Sequence, residues 1–446
     1  MALSDVFVTR IREYDYDSIY RSLPDDIFEV IKRGDKVVLK PNWVKESHEE
    51  KPDEWEYVIT HPAVITAVLM KVVERLDGKG EIRIIDGPQF DSSFQKIISY
   101  SPVELWKSMT SSRGVGLEII DLRDESYFME DEVIVRRTRL PGDPRGSVDY
   151  LLRGDQSEFL GQTRSKRGYF GAYYDIHETN ESHDGTSNRY RVSKSVMECN
   201  VFINLPKLKT HKKAGITCCL KNLVGINTYR NFLPHYSEGG PADNGDQFPA
   251  DNYNARFEGP AMAFIKQNLI QNETMARVFK PIKKIGRRVF GDTTNVVRSG
   301  NWHGNDTMWR TILDLNKLLL YGGLDGKMKE DSWSSTKSYI GIVDGILAGE
   351  GNGPMRPDPV ELGYLIYGTN PVAIDAGCAA VMGFDPLKIP PIAKSFAIGR
   401  FKICDFDFED IVLSVRNERY RLAEIPAELI VNFKPHFGWK GFIEKT

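Results

Sequence analysis

The residues best suited to chemistry lie in one run, Asn204-Leu205-Pro206-Lys207-Leu208-Lys209-Thr210-His211-Lys212-Lys213, followed by Lys221-Asn222. An apolar strand ends there, Pro206 bars its extension, and four lysines and a histidine follow within seven residues. Lysines this close raise one another's charging cost, and a bound anion relieves it. Ammonium groups hold phosphate or carboxylate as point charges, and one with a depressed pKa serves as a base or a Schiff-base amine. His211 is the candidate general acid or base, with Lys209 and Lys221 as catalytic partners. Lys40, Asn42, Lys207, Asn222, Asn352 and His235 are the candidate substrate contacts. The competing reading of the run is a solvated charge cluster.

A second constellation is Asp344-Gly345-Ile346-Leu347-Ala348-Gly349-Glu350-Gly351-Asn352-Gly353-Pro354. It reads as a strand-terminal aspartate followed by a Gly-rich loop, in which backbone N–H groups converge on an anion. The Gly-Lys-Ser/Thr ending of a Walker loop is absent. Asp86, Asp344 and Glu350 are the candidate ligands for a divalent metal ion, a candidate cofactor. The alternative is a tight turn with a surface carboxylate. Asp375 reads as a helix carboxylate as readily as a ligand, His183 as incidental, and Asp306 as a helix cap. No serine elbow, His-Glu-x-x-His or Gly-x-Gly-x-x-Gly motif stands in a suitable context.

These residues sit at the ends of short β-branched runs. Lys36–Leu39 leads into Lys40-Pro41-Asn42, Glu81–Ile85 into Asp86-Gly87, Val201–Asn204 into the lysine run, and Tyr339–Val343 into Asp344. A fifth run, Leu365–Tyr367, leads into Gly368-Thr369-Asn370-Pro371. Helices are predicted over Pro62–Leu76, Val372–Met382 and a run ending at Leu320. The alternation predicts an α/β fold, a mostly parallel sheet covered by helices, with ligands at the carboxyl ends of the strands. Residues 143–190 predict irregular or antiparallel structure, and 235–260 a long loop. The expected organisation is an N-terminal α/β lobe (1–142), a connecting region (143–200) and a C-terminal lobe (201–234 and 336–446). An insertion (235–335) carries the loop and a basic amphipathic helix. That helix, over 274–290, is read as a solvated face or, through 277–290, as a weak membrane-surface contact.

The motifs resemble the domain-of-unknown-function 362 family. The matching pieces include Val38-Leu39-Lys40-Pro41-Asn42, Thr60-His61-Pro62, Ile203 through His211, Leu220-Lys221-Asn222-Leu223-Val224-Gly225 and Leu233-Pro234-His235. Gly304 through Arg310, Asp344-Gly345 through Pro354 and Asn370 through Ala376 continue the series, so the likeness spans roughly 36–390. The resemblance implies no general activity. Some relatives carry a ferredoxin-type iron–sulfur segment; this chain lacks the cysteines for one, and no iron–sulfur cluster is expected.

Composition bounds the rest. The chain has 446 residues, 41% hydrophobic and 27% charged, with a net charge of -3. That balance argues against a nucleic-acid-coating protein. Five scattered cysteines without C-x-x-C spacing read as small buried hydrophobes. The N-terminal residues show no signal-peptide pattern, so the expected compartment is the cytoplasm. The expected function is an enzyme acting on a small phosphorylated or carboxylated metabolite. A non-catalytic metabolite- or metal-binding protein is the alternative, a nucleic-acid binder comes third, and oligomeric state is open.

Overall fold

The β-branched runs form strands buried along nearly their whole length, which is why they read as continuous apolar stretches rather than alternating ones. The computed structural model describes residues 2–130, 133–171, 175–250, 296–330, 337–416 and 418–445. Among the described residues, eleven strands form one sheet. In chain order they are β1 (Asp5–Arg10), β2 (Lys36–Pro41), β3 (Glu81–Asp86), β4 (Gly116–Asp121), β5 (Val201–Leu205), β6 (Lys207–His211) and β7 (Gly215–Thr217). β8 (Ser338–Asn352), β9 (Arg356–Gly368), β10 (Val412–Val415) and β11 (Glu418–Arg421) complete it.

The spatial order is β11-β10-β1-β9-β8-β5-β2-β3-β4, with β6 beside β8 and β7 beside β6. From β8 to β4 every neighbour is parallel. β9 runs antiparallel to both β1 and β8, so the sheet is mixed and mostly parallel. β5 pairs with β2, so strands from both expected lobes join in this one sheet. Side-chain alternation then splits the core. Val37, Leu39 and Ile203 face one apolar cluster, while Val38 and Phe202 face the other.

Helix starts follow the local signals. Helix Pro62–Leu76 begins at His61, whose Nδ1 accepts from the Ala63 N–H at 3.1 Å. Helix Pro371–Val381 begins at Asn370, whose side chain accepts from Val372 and Ala373. Helix Met308–Tyr321 differs from expectation at its cap: Asn305 Oδ1 accepts from Met308 at 2.8 Å and Asp246 from Thr307 at 2.7 Å. Asp306 instead pairs with Arg310 at 2.9 Å. The predicted antiparallel character of 143–190 is present. Ser147–Arg153 pairs with Ser187–Ser193, and Tyr169–Gly171 with Pro234–Ser237. The basic segment 274–290 and the last part of the expected long loop, 251–260, lie outside the described residues. Among the described residues, no helix is long and apolar enough to cross a membrane.

Two runs expected to follow strand ends are themselves strand. The lysine run after Pro206 is β6, all five of its residues buried, and the Gly-rich run from Asp344 to Asn352 is the second half of β8. Gly349 and Gly353 make room for atoms of neighbouring strands. A Cβ on Gly349 would lie 2.8 Å from Pro357 Cβ and 3.1 Å from Lys209 Cβ, and one on Gly353 1.9 Å from the Thr210 carbonyl. Close strand crossing, with no side chain in the way, is what they provide.

Candidate functional site

Parallel β2 and β3 deliver Lys40 and Asp86 side by side at their carboxyl ends. Lys40 Nζ lies 2.7 Å from Asp86 Oδ1, with side chains 0% and 4% exposed. The other carboxylate oxygen accepts from the Trp43 N–H at 2.6 Å. Lys40 also donates to Asn222 Oδ1 at 3.2 Å, an atom that accepts from Asn42 Nδ2 at 3.0 Å. Asn222 Nδ2 in turn donates to Asn204 Oδ1 at 2.7 Å. The next turn crosses directly over this pair, because a Cβ on Gly225 would stand 2.2 Å from Asp86 Oδ1. Asp86, expected as a metal ligand, is the counter-charge of a buried lysine.

The other two expected metal ligands are likewise taken. Asp344 lies 2.6 Å from Lys207 Nζ, both fully buried, and accepts from Tyr14 OH at 2.8 Å and the His61 N–H at 2.9 Å. Glu350 lies 3.0 Å from Lys434 Nζ and accepts from its backbone N–H at 2.8 Å. The three carboxylates are therefore not brought together. Among the described residues, the group whose atoms could meet one ion is Cys218, Cys219 and Asp375, within 4.8 Å of one another. Its residue types suit a soft cation. However, Asp375 already accepts from the Cys219 N–H at 2.7 Å and the Leu220 N–H at 3.0 Å. Burial pushes Asp375 up to about 7 and the Cys218 and Cys219 thiols well above their ordinary value. The group supplies three ligand atoms, one fewer than a closed four-ligand zinc site. What Asp375 does hold is the short helix Cys219–Asn222, whose Leu220 carbonyl also accepts from Asn316 at 3.0 Å.

Lys221 rides on that helix. It opens onto a cavity of about 370 Å³ at the carboxyl ends of β2 and β3, a size suited to a small ligand. Asn42, Asp86, His211, Lys221, Asn222 and His235 line it, so the fold gathers these six expected residues. Lys40, Lys207 and Lys209 do not line the cavity. β6 spaces Lys207, Lys209 and His211 along one face, and only its last residue reaches the opening. Lys209 Nζ is spent on the Val58 carbonyl. Asn352 is exposed opposite Arg356 near the tip of the β8–β9 hairpin, while Pro354 and Met355 line the cavity instead.

The two histidines hold opposite tautomers. His211 Nδ1 accepts from the Lys213 N–H at 3.0 Å, which leaves its proton on Nε2. His235 Nδ1 lies 2.8 Å from the Leu233 carbonyl, which can only accept, so its Nε2 carries a lone pair. Burial, followed by Lys221, Lys212 and Lys213, pushes His211 well below the ordinary histidine range. Burial and Lys213 do the same to His235. Both rings are neutral at pH 7.

Among the described residues, Lys221 Nζ has no hydrogen-bond or ion-pair partner. Burial, then Arg230 and Lys40, push its amine down to about 7, against the opposing pull of Asp86. Arg230, which sequence reasoning missed, also lines the cavity and donates to the Gly87 carbonyl and, at 3.0 Å, to the Pro88 carbonyl. A signal existed: Arg230 is the one charged residue between Leu223 and Phe232. Phe170 and Tyr236, stacked at 5.0 Å, add an apolar wall that was also missed.

Residues 170–380 match the family described as Domain of unknown function (DUF362), the family that the motifs resemble. A 212-residue stretch is 24% identical to a thylakoid-associated protein of Synechocystis sp., covering 48% of this chain and 41% of that protein. The chain thus spans about two fifths of the length of that curated relative, 41%. Similar solved structures include a protein from Thermotoga maritima, at 10% identity and TM-score 0.31 over 80% of this chain and 57% of the other. Another is the lactate racemase apoprotein from Thermoanaerobacterium thermosaccharolyticum, at 9% identity and TM-score 0.34 over 85% and 57%.

Proposed function

We propose that the cavity is the active site of an enzyme that moves a proton on a small organic anion, a carboxylate or a phosphate ester. The observation that carries this reading is the pair of neutral histidines on one cavity, His235 with a lone pair at Nε2 and His211 with a proton there. His235 takes a proton from the substrate. The His211 N–H donates a hydrogen bond to the oxygen on which negative charge builds, a role that a neutral imidazole fills well. Arg230, always charged, and the protonated fraction of Lys221 hold the anionic group and offset the developing charge. Asn42 and Asn222 border the same space and orient its polar end.

The test is deuterium exchange. Wild-type protein in D2O, with a panel of small carboxylates and phosphate esters, is expected to exchange the hydrogen on the carbon beside the anionic group, followed by NMR. His235→Gln should lower that rate by about 10²–10⁴-fold while calorimetric binding of the same anion persists. Binding without exchange would identify a non-catalytic binding protein. Failure of every anion to bind overturns the reading altogether.

A further inference from the structure

We infer that Lys221 is a covalent attachment point, forming an imine with the carbonyl carbon of an anionic aldehyde or ketone held in the cavity. This rests on the reading of the cavity as an anion site and narrows its ligand to carbonyl-bearing acids.

The first observation is that the neighbouring lysines are committed and Lys221 is not. Lys40 is held by Asp86 at 2.7 Å, Lys207 by Asp344 at 2.6 Å and Lys209 by the Val58 carbonyl, while Lys213 donates to the Ser299 carbonyl at 2.6 Å. Lys221 Nζ has no such partner among the described residues, although its surroundings desolvate it. The fully buried Lys40, Lys207 and Lys209 each have a partner, as the cost of an unpaired buried ammonium demands, whereas half-buried Lys221 has none among the described residues. The second observation is position, because Lys221 faces a cavity large enough for a small molecule rather than packed side chains. The third is chemical state. Arg230, Lys40 and burial favour the free amine near neutrality, and the free amine is the nucleophile.

The cavity also supplies the proton transfers that imine formation needs. The Nζ lone pair attacks the carbonyl carbon, a C–N bond forms, and the C=O pair moves onto oxygen, which the His211 N–H stabilises. His235 takes a proton from nitrogen and the oxygen collects it, giving the carbinolamine. A second proton passes from nitrogen to that hydroxyl, the C–O bond breaks, and water leaves. The sum is amine plus carbonyl giving imine plus water, with no change of oxidation state. Arg230 remains to hold the anionic group.

The experiment uses the full chain with glyoxylate or pyruvate as probe, sodium cyanoborohydride as trap, and peptide mapping by mass spectrometry at pH about 7. A lysine at about 7 has roughly a thousandfold more free amine there than an ordinary surface lysine. The expected result is therefore an adduct on Lys221 well ahead of any other lysine. Lys221→Arg should lack it, and saturating non-carbonyl carboxylate should suppress it in wild type, a control that needs no variant. Calorimetry runs alongside with the oxo acid and its hydroxy analogue. If both bind but no adduct forms on Lys221, the imine is overturned and the anion site stands. If neither binds, both readings fall.

Discussion

Lys221 is held in the folded chain with its amine pushed from the ordinary 10.5 to about 7, so folding with it charged is unfavourable and Lys221→Met should stabilise the protein near neutral pH. Burial, then Arg230 and Lys40, disfavour the charge and Asp86 favours it, while Lys209, His211 and His235 are pushed down by burial first, with Lys221 adding to it. The unfolded chain binds a proton at this residue below 10.5 and the folded chain only below about 7. Stability from this group is therefore fully present above the unfolded value and lost as pH falls towards the folded one. At 1.36 kcal/mol per pH unit the loss is at most roughly 5 kcal/mol. Water in the cavity solvates part of the ammonium, so about 1–3 kcal/mol is the expected gain for Lys221→Met at pH about 7, shrinking towards zero by pH about 10. Urea unfolding of both proteins, followed by tryptophan fluorescence at the two pH values, measures it. A variant no more stable than wild type at neutral pH, or a difference that does not change with pH, refutes the reasoning.

Asp86→Asn leaves Lys40 buried without its counter-charge and should cost about 3–5 kcal/mol in urea unfolding; a cost under about 1 kcal/mol would place the pair outside the core network. Lys207→Met should cost a similar amount by stranding Asp344, and adding Asp344→Leu should recover part of it, since removing a whole buried pair is often tolerated. Additive single losses would count against a closed Lys207–Asp344 unit. Gly353→Ala forces a Cβ to 1.9 Å from the Thr210 carbonyl, and about 1–3 kcal/mol of overpacking should appear as a lower melting temperature. An unchanged melting temperature would count against a tight approach of Gly353 to Thr210.

Strands β2, β3 and β5 were legible because each is a β-branched run ending in a polar residue, and burial on both faces demands that composition. Helix Pro62–Leu76 was legible from its His61-Pro62 start, a signal read within one turn. The Gly-rich half of β8 was misread because glycine next to charge has the same local signature in a ligand loop and in a strand crossed closely by another strand. Arg230 and the Phe170–Tyr236 wall were overlooked because neither carries a motif.

Local composition was enough to name His211, Lys221, Asn222, Asn42, Asp86 and His235, all of which line the cavity. It could not sort the lysines. β6 presents Lys207, Lys209 and His211 on one face, and the parallel register to β8 sets Asp344 opposite Lys207 but Gly349 opposite Lys209. That register, with the β2–β3 pairing that brings Asp86 to Lys40, decides which ammonium is neutralised, and the helix Cys219–Asn222 carries the one that faces the cavity. Residue type fixes what a lysine can do. A carboxylate at about 3 Å decides what it does, and that carboxylate comes from a strand far away in the chain.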